Sequence, residues 1–226
     1  MPNWCFTNYI FHGSKEEIKD FHNKITEWTS KNHMENGFGE RWLGNVVCGA
    51  GFEDRINSET NRIRCRGSIN WFELNADIDS DEFDEGLLYI DTETAWSAMP
   101  IMWKLIIEKM GYKTVGFSFI SEECGMEIYD IFDPYGDFPE KYNVDIYLEG
   151  EDEKNPALRR IMDTRYYTDD EYLIADLQTL LGTDNDNLQE LISAAQQYPF
   201  ENEDSYISIH EYRHIEPTLE LEDYYD

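Results

Sequence analysis

Three groups of residues in this chain have types and spacings that could do chemistry. The first is His210-Glu211-Tyr212-Arg213-His214, an H-E-x-x-H run. On a helix such a run sets two imidazoles on one face as zinc ligands, with the glutamate as general base. The second is acidic: Asp77, Asp79, Asp81, Glu82, Asp84 and Glu85, followed later by Glu149, Glu151, Asp152 and Glu153. Carboxylates at that density can take a hard cation or a basic surface. The third is aromatic. Tyr9, Phe11, Trp71, Trp96, Phe117 and Phe119 could stack bases if strands brought them to one sheet face.

Each chemistry depends on the element beneath it. Zinc binding by the H-E-x-x-H run needs a helix, but Tyr206, Ile207, Ser208 and Ile209 lead into it and Pro217 follows, a pattern that predicts an extended strand. Residues four apart on a strand are separated by roughly 13 Å, too far for one zinc ion to bridge. A metal-dependent hydrolase built on His210, Glu211 and His214 therefore stands as the alternative, and no catalytic residue, metal or cofactor is assigned. Calcium would want D-x-D-x-D-G with a glutamate at the twelfth position; Asp77, Asp79 and Asp81 have the spacing without the glycine. Base stacking needs compensating Lys and Arg, and Arg62, Arg64 and Arg66 form only a small cluster.

Charge decides among these. The chain of 226 residues holds 48 Asp and Glu against 18 Lys and Arg, a net charge of -30. Residues 1–120 hold 12 basic and 19 acidic side chains, and residues 121–226 hold 6 and 29. Such a field repels nucleic acid and anionic lipid and favours encounter with basic surfaces. Direct nucleic-acid binding and membrane binding are excluded on this ground, and the aromatic residues are assigned to the core. The four cysteines, Cys5, Cys48, Cys65 and Cys124, make no C-x-x-C pair and read as buried reduced thiols. Without a signal-like N-terminal segment or an apolar run of membrane-spanning length, the expected location is the cytoplasm of a host cell.

The elements follow from periodicity and punctuation. A strand is expected over 5–11, ended by Gly13. Ser14 and Glu17 form a capping box ahead of a helix whose apolar stripe is Ile18, Phe21, Ile25 and Trp28. Five glycines between 30 and 62 suggest an irregular insertion. Strands are expected over 64–74 and 87–92, a Pro-started helix over 100–110 closed by Gly111, and a strand over 114–120. The order β-α-β-β-α-β predicts an α+β protein with a ferredoxin-like split βαβ antiparallel sheet. Segments 126–132 and 143–148, flanking Pro134-Tyr135-Gly136-Asp137, read as an added hairpin. Helices over 169–181 and 185–197 and a strand over 206–215 complete the chain. The domain plan is thus a ferredoxin-like domain over 1–148 and an acidic, partly helical C-terminal extension over 149–226 packed on it.

The opening Met1, Pro2, Asn3, Trp4 and Cys5 with Asn8 beyond, the D-T-E-T-A-W-S-A-M-P stretch at 91–100 and the E-E-C-G-M-E-I-Y run at 122–129 resemble a family. It is the YubB-type "M-P-N-W-C" ferredoxin-like domain of bacterial plasmids and phages. The resemblance covers about residues 1–148 and implies a mobile-element origin; it transfers no catalytic residue. Together with the charge it points to a phage- or plasmid-encoded anti-defence protein, such as an anti-CRISPR inhibitor. In this expectation Asp77, Asp79, Asp81, Glu82, Asp84, Glu85, Glu149, Glu151, Asp152 and Glu153 compete with phosphates for the basic nucleic-acid-binding surface of a host-defence protein or ribonucleoprotein. An accessory mobile-element protein with another basic partner fits the same residues.

Overall fold

In the computed structural model, which describes residues 3–34, 38–80 and 84–218, the first strand runs past the glycine expected to end it. β1 spans Trp4–Ser14, with Cys5, Thr7, Tyr9 and Phe11 turned into the core and Trp4, Phe6 and Asn8 on the opposite side. Ser14 then caps α1 (Lys15–Trp28), its Oγ accepting the Glu17 amide at 3.4 Å. Only half of the expected capping box forms. Glu17 instead accepts the Lys113 and Thr114 amides at 3.0 and 2.9 Å, tying the helix start to the turn before a later strand.

The glycine-rich insertion contains a regular element that the composition hides. α2 (Leu43–Gly49) is largely buried, and a Cβ on Gly44 or Gly49 would fall 2.2 Å from the Trp42 ring or 2.1 Å from the Trp28 ring. The glycines here let two indoles lie against the helix rather than break it. Asn45, wholly buried, staples the preceding loop: it accepts the His33 amide and donates to the Gly39 and Glu40 carbonyls at 2.8–3.0 Å.

β2 (Gly67–Leu74), β3 (Glu85–Ala95), α3 (Pro100–Met110), β4 (Gly116–Glu123) and β5 (Ile128–Phe132) follow. α3 carries Pro at its start and Gly111 at φ 73 at its end, the left-handed cap a side chain would strain. With a short terminal strand, β9 (Arg213–His214), they form a six-stranded mixed sheet in the order β2-β3-β1-β4-β5-β9. Pairings among β1 to β5 are antiparallel. Both long helices pack on one face: Phe21 of α1 and Trp103 of α3 meet Phe11 at centroid distances of 5.4 Å each. Tyr9, buried with its hydroxyl accepting the Met99 amide at 3.1 Å, fixes the start of α3.

The stretch 133–138 is not the turn of a hairpin. β5 belongs to the six-stranded sheet, whereas β6 (Tyr142–Tyr147) lies in a second, three-stranded sheet. Asp133 organises the stretch, accepting the amides of Gly136, Asp137 and Phe138 and the Ser118 hydroxyl at 2.8–2.9 Å. Burial raises its carboxyl pKa, but the Phe138 and Asp137 N–H groups outweigh this and hold it below the ordinary 3.8. A depressed folded-state pKa means the stabilisation is complete above the unfolded value and is lost as pH falls through the folded one. Asp133→Asn is therefore expected to destabilise by about 2 kcal/mol at neutral pH. In urea unfolding the gap to wild type should close below about pH 4.

By contact density the chain divides into Met1–Phe138 with His214–Asp226, and Pro139–Arg213. The division thus lies ten residues before the boundary expected at 148, and β6 belongs to the second unit. That unit adds α4 (Pro156–Thr164), β7 (Tyr166–Tyr167), α5 (Asp170–Leu181), α6 (Leu188–Ala195) and β8 (Tyr206–Glu211), with sheet order β7-β6-β8. Its core is its own: Val144, Leu158, Ile161, Leu173, Leu177 and Leu191 are buried together. α4 was not expected; Asn155 caps it, accepting the Ala157 amide at 2.9 Å. The strand expected over 206–215 splits, β8 and β9 joining different sheets. Among the described residues no helix is long and apolar enough to cross a membrane.

Candidate protein-interaction face

The acidic residues singled out by sequence do not gather into one site. Asp77, Asp79, Asp84 and Glu85 lie around the β2–β3 connection, all exposed, while Asp81 and Glu82 lie outside the described residues. Asp79 pairs with Lys19, and Lys15 donates to the Ser80 carbonyl, so α1 holds this loop. Glu85 and Asp137 flank the buried His12 at 3.3 and 2.8 Å. In the second unit Glu149, Glu151 and Glu153 are exposed, with Glu151 2.5 Å from Lys154. Asp152 is not a surface carboxylate. It is buried, and its two oxygens accept the Glu201 and Asn202 amides at 3.0 and 2.9 Å. The amide bonds lower its pKa, so its role is to hold the turn at 201–202.

The H-E-x-x-H run is extended, as the strand pattern implied. His210 and Glu211 end β8, and His214 belongs to β9. His210 Nε2 lies 2.8 Å from the Ser208 hydroxyl. Among the described residues no group of three or more His, Cys, Asp and Glu is placed to hold a metal ion. The zincin arrangement of two imidazoles on one helical face is absent.

The aromatic residues divide by strand parity. Tyr9, Phe11, Phe117 and Phe119 are core. Trp71 is 44% exposed, and it shares the open face of the sheet with two residues that sequence reasoning passed over, Trp4 at 46% and Phe6 at 56%. Register shows what accompanies them, since directly paired residues point to the same side. Phe6 pairs with Glu93 on one side and Glu122 on the other. Trp71 pairs with Asp91, which pairs with Asn8 and accepts its side-chain amide at 2.7 Å. Glu73 pairs with Tyr89. The result is a half-exposed platform of aromatic rings separated by carboxylates. Alternation along β1 and β3 could have found it, because once Tyr9 and Ile90 face the core, their neighbours must face away.

The segments at 3–8, 91–100 and 122–129 meet at one end of this face. The Asn3 carbonyl accepts the Trp96 amide at 2.9 Å. A Cβ on Gly125 would lie 2.6 Å from the Asn3 side-chain nitrogen, which would have to shift to admit it. Glu123 folds the same turn, accepting the Gly125 and Met126 amides at 2.9 and 2.6 Å. Trp96 and Glu127 have φ of 76 and 55, a left-handed conformation uncommon for such residues and concentrated where a structure holds a site in shape. Beneath the platform Cys5, Thr7, Thr94, Ser121, Glu123 and Asp130 are buried polar groups. Burial pushes the Cys5 thiol up to about 12, which keeps it protonated and unreactive. Cys65 is likewise buried, but Cys48 is half-buried and Cys124 exposed, against expectation.

No family model, curated protein or solved structure matches the chain.

Proposed function

We propose that this protein acts by binding, as an anti-defence inhibitor of the anti-CRISPR kind encoded by a phage or plasmid. It covers the basic nucleic-acid-binding surface of its target and does no chemistry. The observation that carries the proposal is the ladder Glu93–Phe6–Glu122 on the open sheet face of a chain with net charge -30. Carboxylates replace phosphates as partners for Lys and Arg, and the exposed rings offer cation–π contacts to the same side chains. Asp77, Asp84, Glu149 and Glu153 add to the field that steers a basic partner in. The mobile-element origin rests on the resemblance. The strand order β2-β3-β1-β4 with α1 and α3 on one face supports assigning the first unit to the ferredoxin-like arrangement, extended by β5.

Affinity capture by the tagged protein from a bacterial lysate tests this. The expected result is a nucleic-acid-binding defence protein released by high salt or by competing DNA. A basic partner unrelated to defence would favour the accessory role instead. A partner that neither salt nor DNA releases would count against electrostatic mimicry altogether.

A further inference from the structure

A pocket of about 540 Å³ in the first unit has a character opposite to the rest of the chain. Its lining includes Trp4, Phe38, Trp42, Arg62, Arg66 and Glu93. The volume is in the range of small-molecule sites, roughly 300 to 1,000 Å³. In a protein with only 18 basic residues, two arginines in one aromatic recess mark a place for an anion with a flat ring.

The geometry is built. The Phe38 and Trp42 rings lie 5.3 Å apart at 41°, and Trp42 is fixed as the residue capping α2. Arg62 is tethered at the rim, its Nε donating to the Ile56 carbonyl at 3.1 Å. The backbone of Arg66 is locked beside β3, its carbonyl accepting the Ala95 amide at 2.8 Å. At Gly67, in the pocket wall, a Cβ would stand 2.2 Å from the Glu93 carbonyl oxygen, so only glycine lets β2 come this close.

We propose that this pocket binds a nucleoside monophosphate. The base stacks on the exposed Trp4 and Phe38 rings, with the buried Trp42 behind Phe38; such rings accept any base through its π-face. The phosphate meets the exposed Arg62 guanidinium, whose forked donors match phosphate oxygens, while Arg66, with its Nε and Nη2 buried, adds its charge from the wall. The Glu93 carboxylate accepts from an amino or hydroxyl group of the ligand. A single phosphate suits the site better than a polynucleotide, because each further phosphate meets the repulsion of a -30 chain without a third cation among the residues that line the pocket.

Calorimetric titration with the four ribonucleoside monophosphates, paired with tryptophan emission, tests the assignment on the full chain. At least one monophosphate should bind saturably and change the emission. The matching nucleoside and inorganic phosphate should each bind at least about tenfold more weakly, since each forfeits one half of the contacts. Arg62→Glu should weaken binding by a similar factor with only a small change in the thermal melt, because Arg62 is exposed and gives up a single carbonyl contact; Arg62→Lys should recover part of it. Absence of saturable binding in the millimolar range, equal binding of the bare nucleoside, or affinity indifferent to Arg62→Glu would overturn the proposal. Tighter binding of a short oligonucleotide than of the monophosphate would overturn its restriction to one phosphate.

Discussion

A chain carrying Glu93→Lys and Glu122→Lys is expected to lose capture of the proposed basic partner, with binding weakened by at least about tenfold at low salt. The two carboxylates flank Phe6 in the sheet, so their reversal sets two cations beside the ring proposed to receive a cation. The global field barely changes from -30, which makes the effect local. Reversing Asp77 and Asp84, exposed on the β2–β3 connection, changes the net charge equally but leaves the platform intact. It should reduce the on-rate by a few-fold at most, since charges outside an interface act through steering alone. Surface plasmon resonance over a salt series, with a thermal melt of each variant, separates the two. Were the second pair to abolish binding and the first to spare it, the acidic loop would be the contact and the sheet face would not. Phe6→Ala, which removes a ring without touching charge, should slow nothing and speed dissociation, by about the 0.5 to 2 kcal/mol of a cation–π contact.

The parts of this fold that were legible in sequence are those where one local signal had no competitor. Ser14 before an Ile18, Phe21, Ile25, Trp28 stripe gave α1, and Pro100 and Gly111 bounded α3, because caps and helical spacing are written within a few residues. α2 was hidden because its glycines mean close packing against Trp28 and Trp42, and a glycine does not reveal whether it breaks a helix or admits a ring. The false hairpin at 133–138 had the right turn residues; what decides its topology is pairing of β5 with β4 and of β6 with β8, which is non-local. The candidate site split the same way. Charge was visible, but sequence assigned carboxylates to loops by density, whereas sheet register places Asp91, Glu93 and Glu122 beside Phe6 and Trp71 from strands far apart in the chain. Asp152 sat within an acidic run and is structural, since nothing in the run shows the backbone amides it serves.

Trp103→Ala is expected to destabilise the first unit by about 3 to 5 kcal/mol, a large part of the 5 to 15 kcal/mol available to a typical domain. Trp103 is fully buried on α3, with Tyr9, Phe11 and Phe21 rings at 6.0, 5.4 and 6.2 Å. Those residues come from β1 and α1, so the cavity would open where both helices meet the sheet. The indole N–H of Trp103 has no hydrogen-bond partner among the described residues, and an unsatisfied buried donor costs about 1 to 3 kcal/mol. Trp103→Phe removes that donor along with part of the ring, so the two effects offset, and its net destabilisation should stay under about 1.5 kcal/mol. Trp71→Ala, on the exposed face, should change stability by less than about 0.5 kcal/mol. Urea unfolding followed by near-ultraviolet circular dichroism ranks the three. If phenylalanine proved as damaging as alanine, the indole would be held by more than packing, and the orphaned donor would have a partner in solution. The order Ala far below Phe, with Trp71→Ala at wild type, would separate the tryptophans that build the sheet's helical face from those that leave its other face open for a partner.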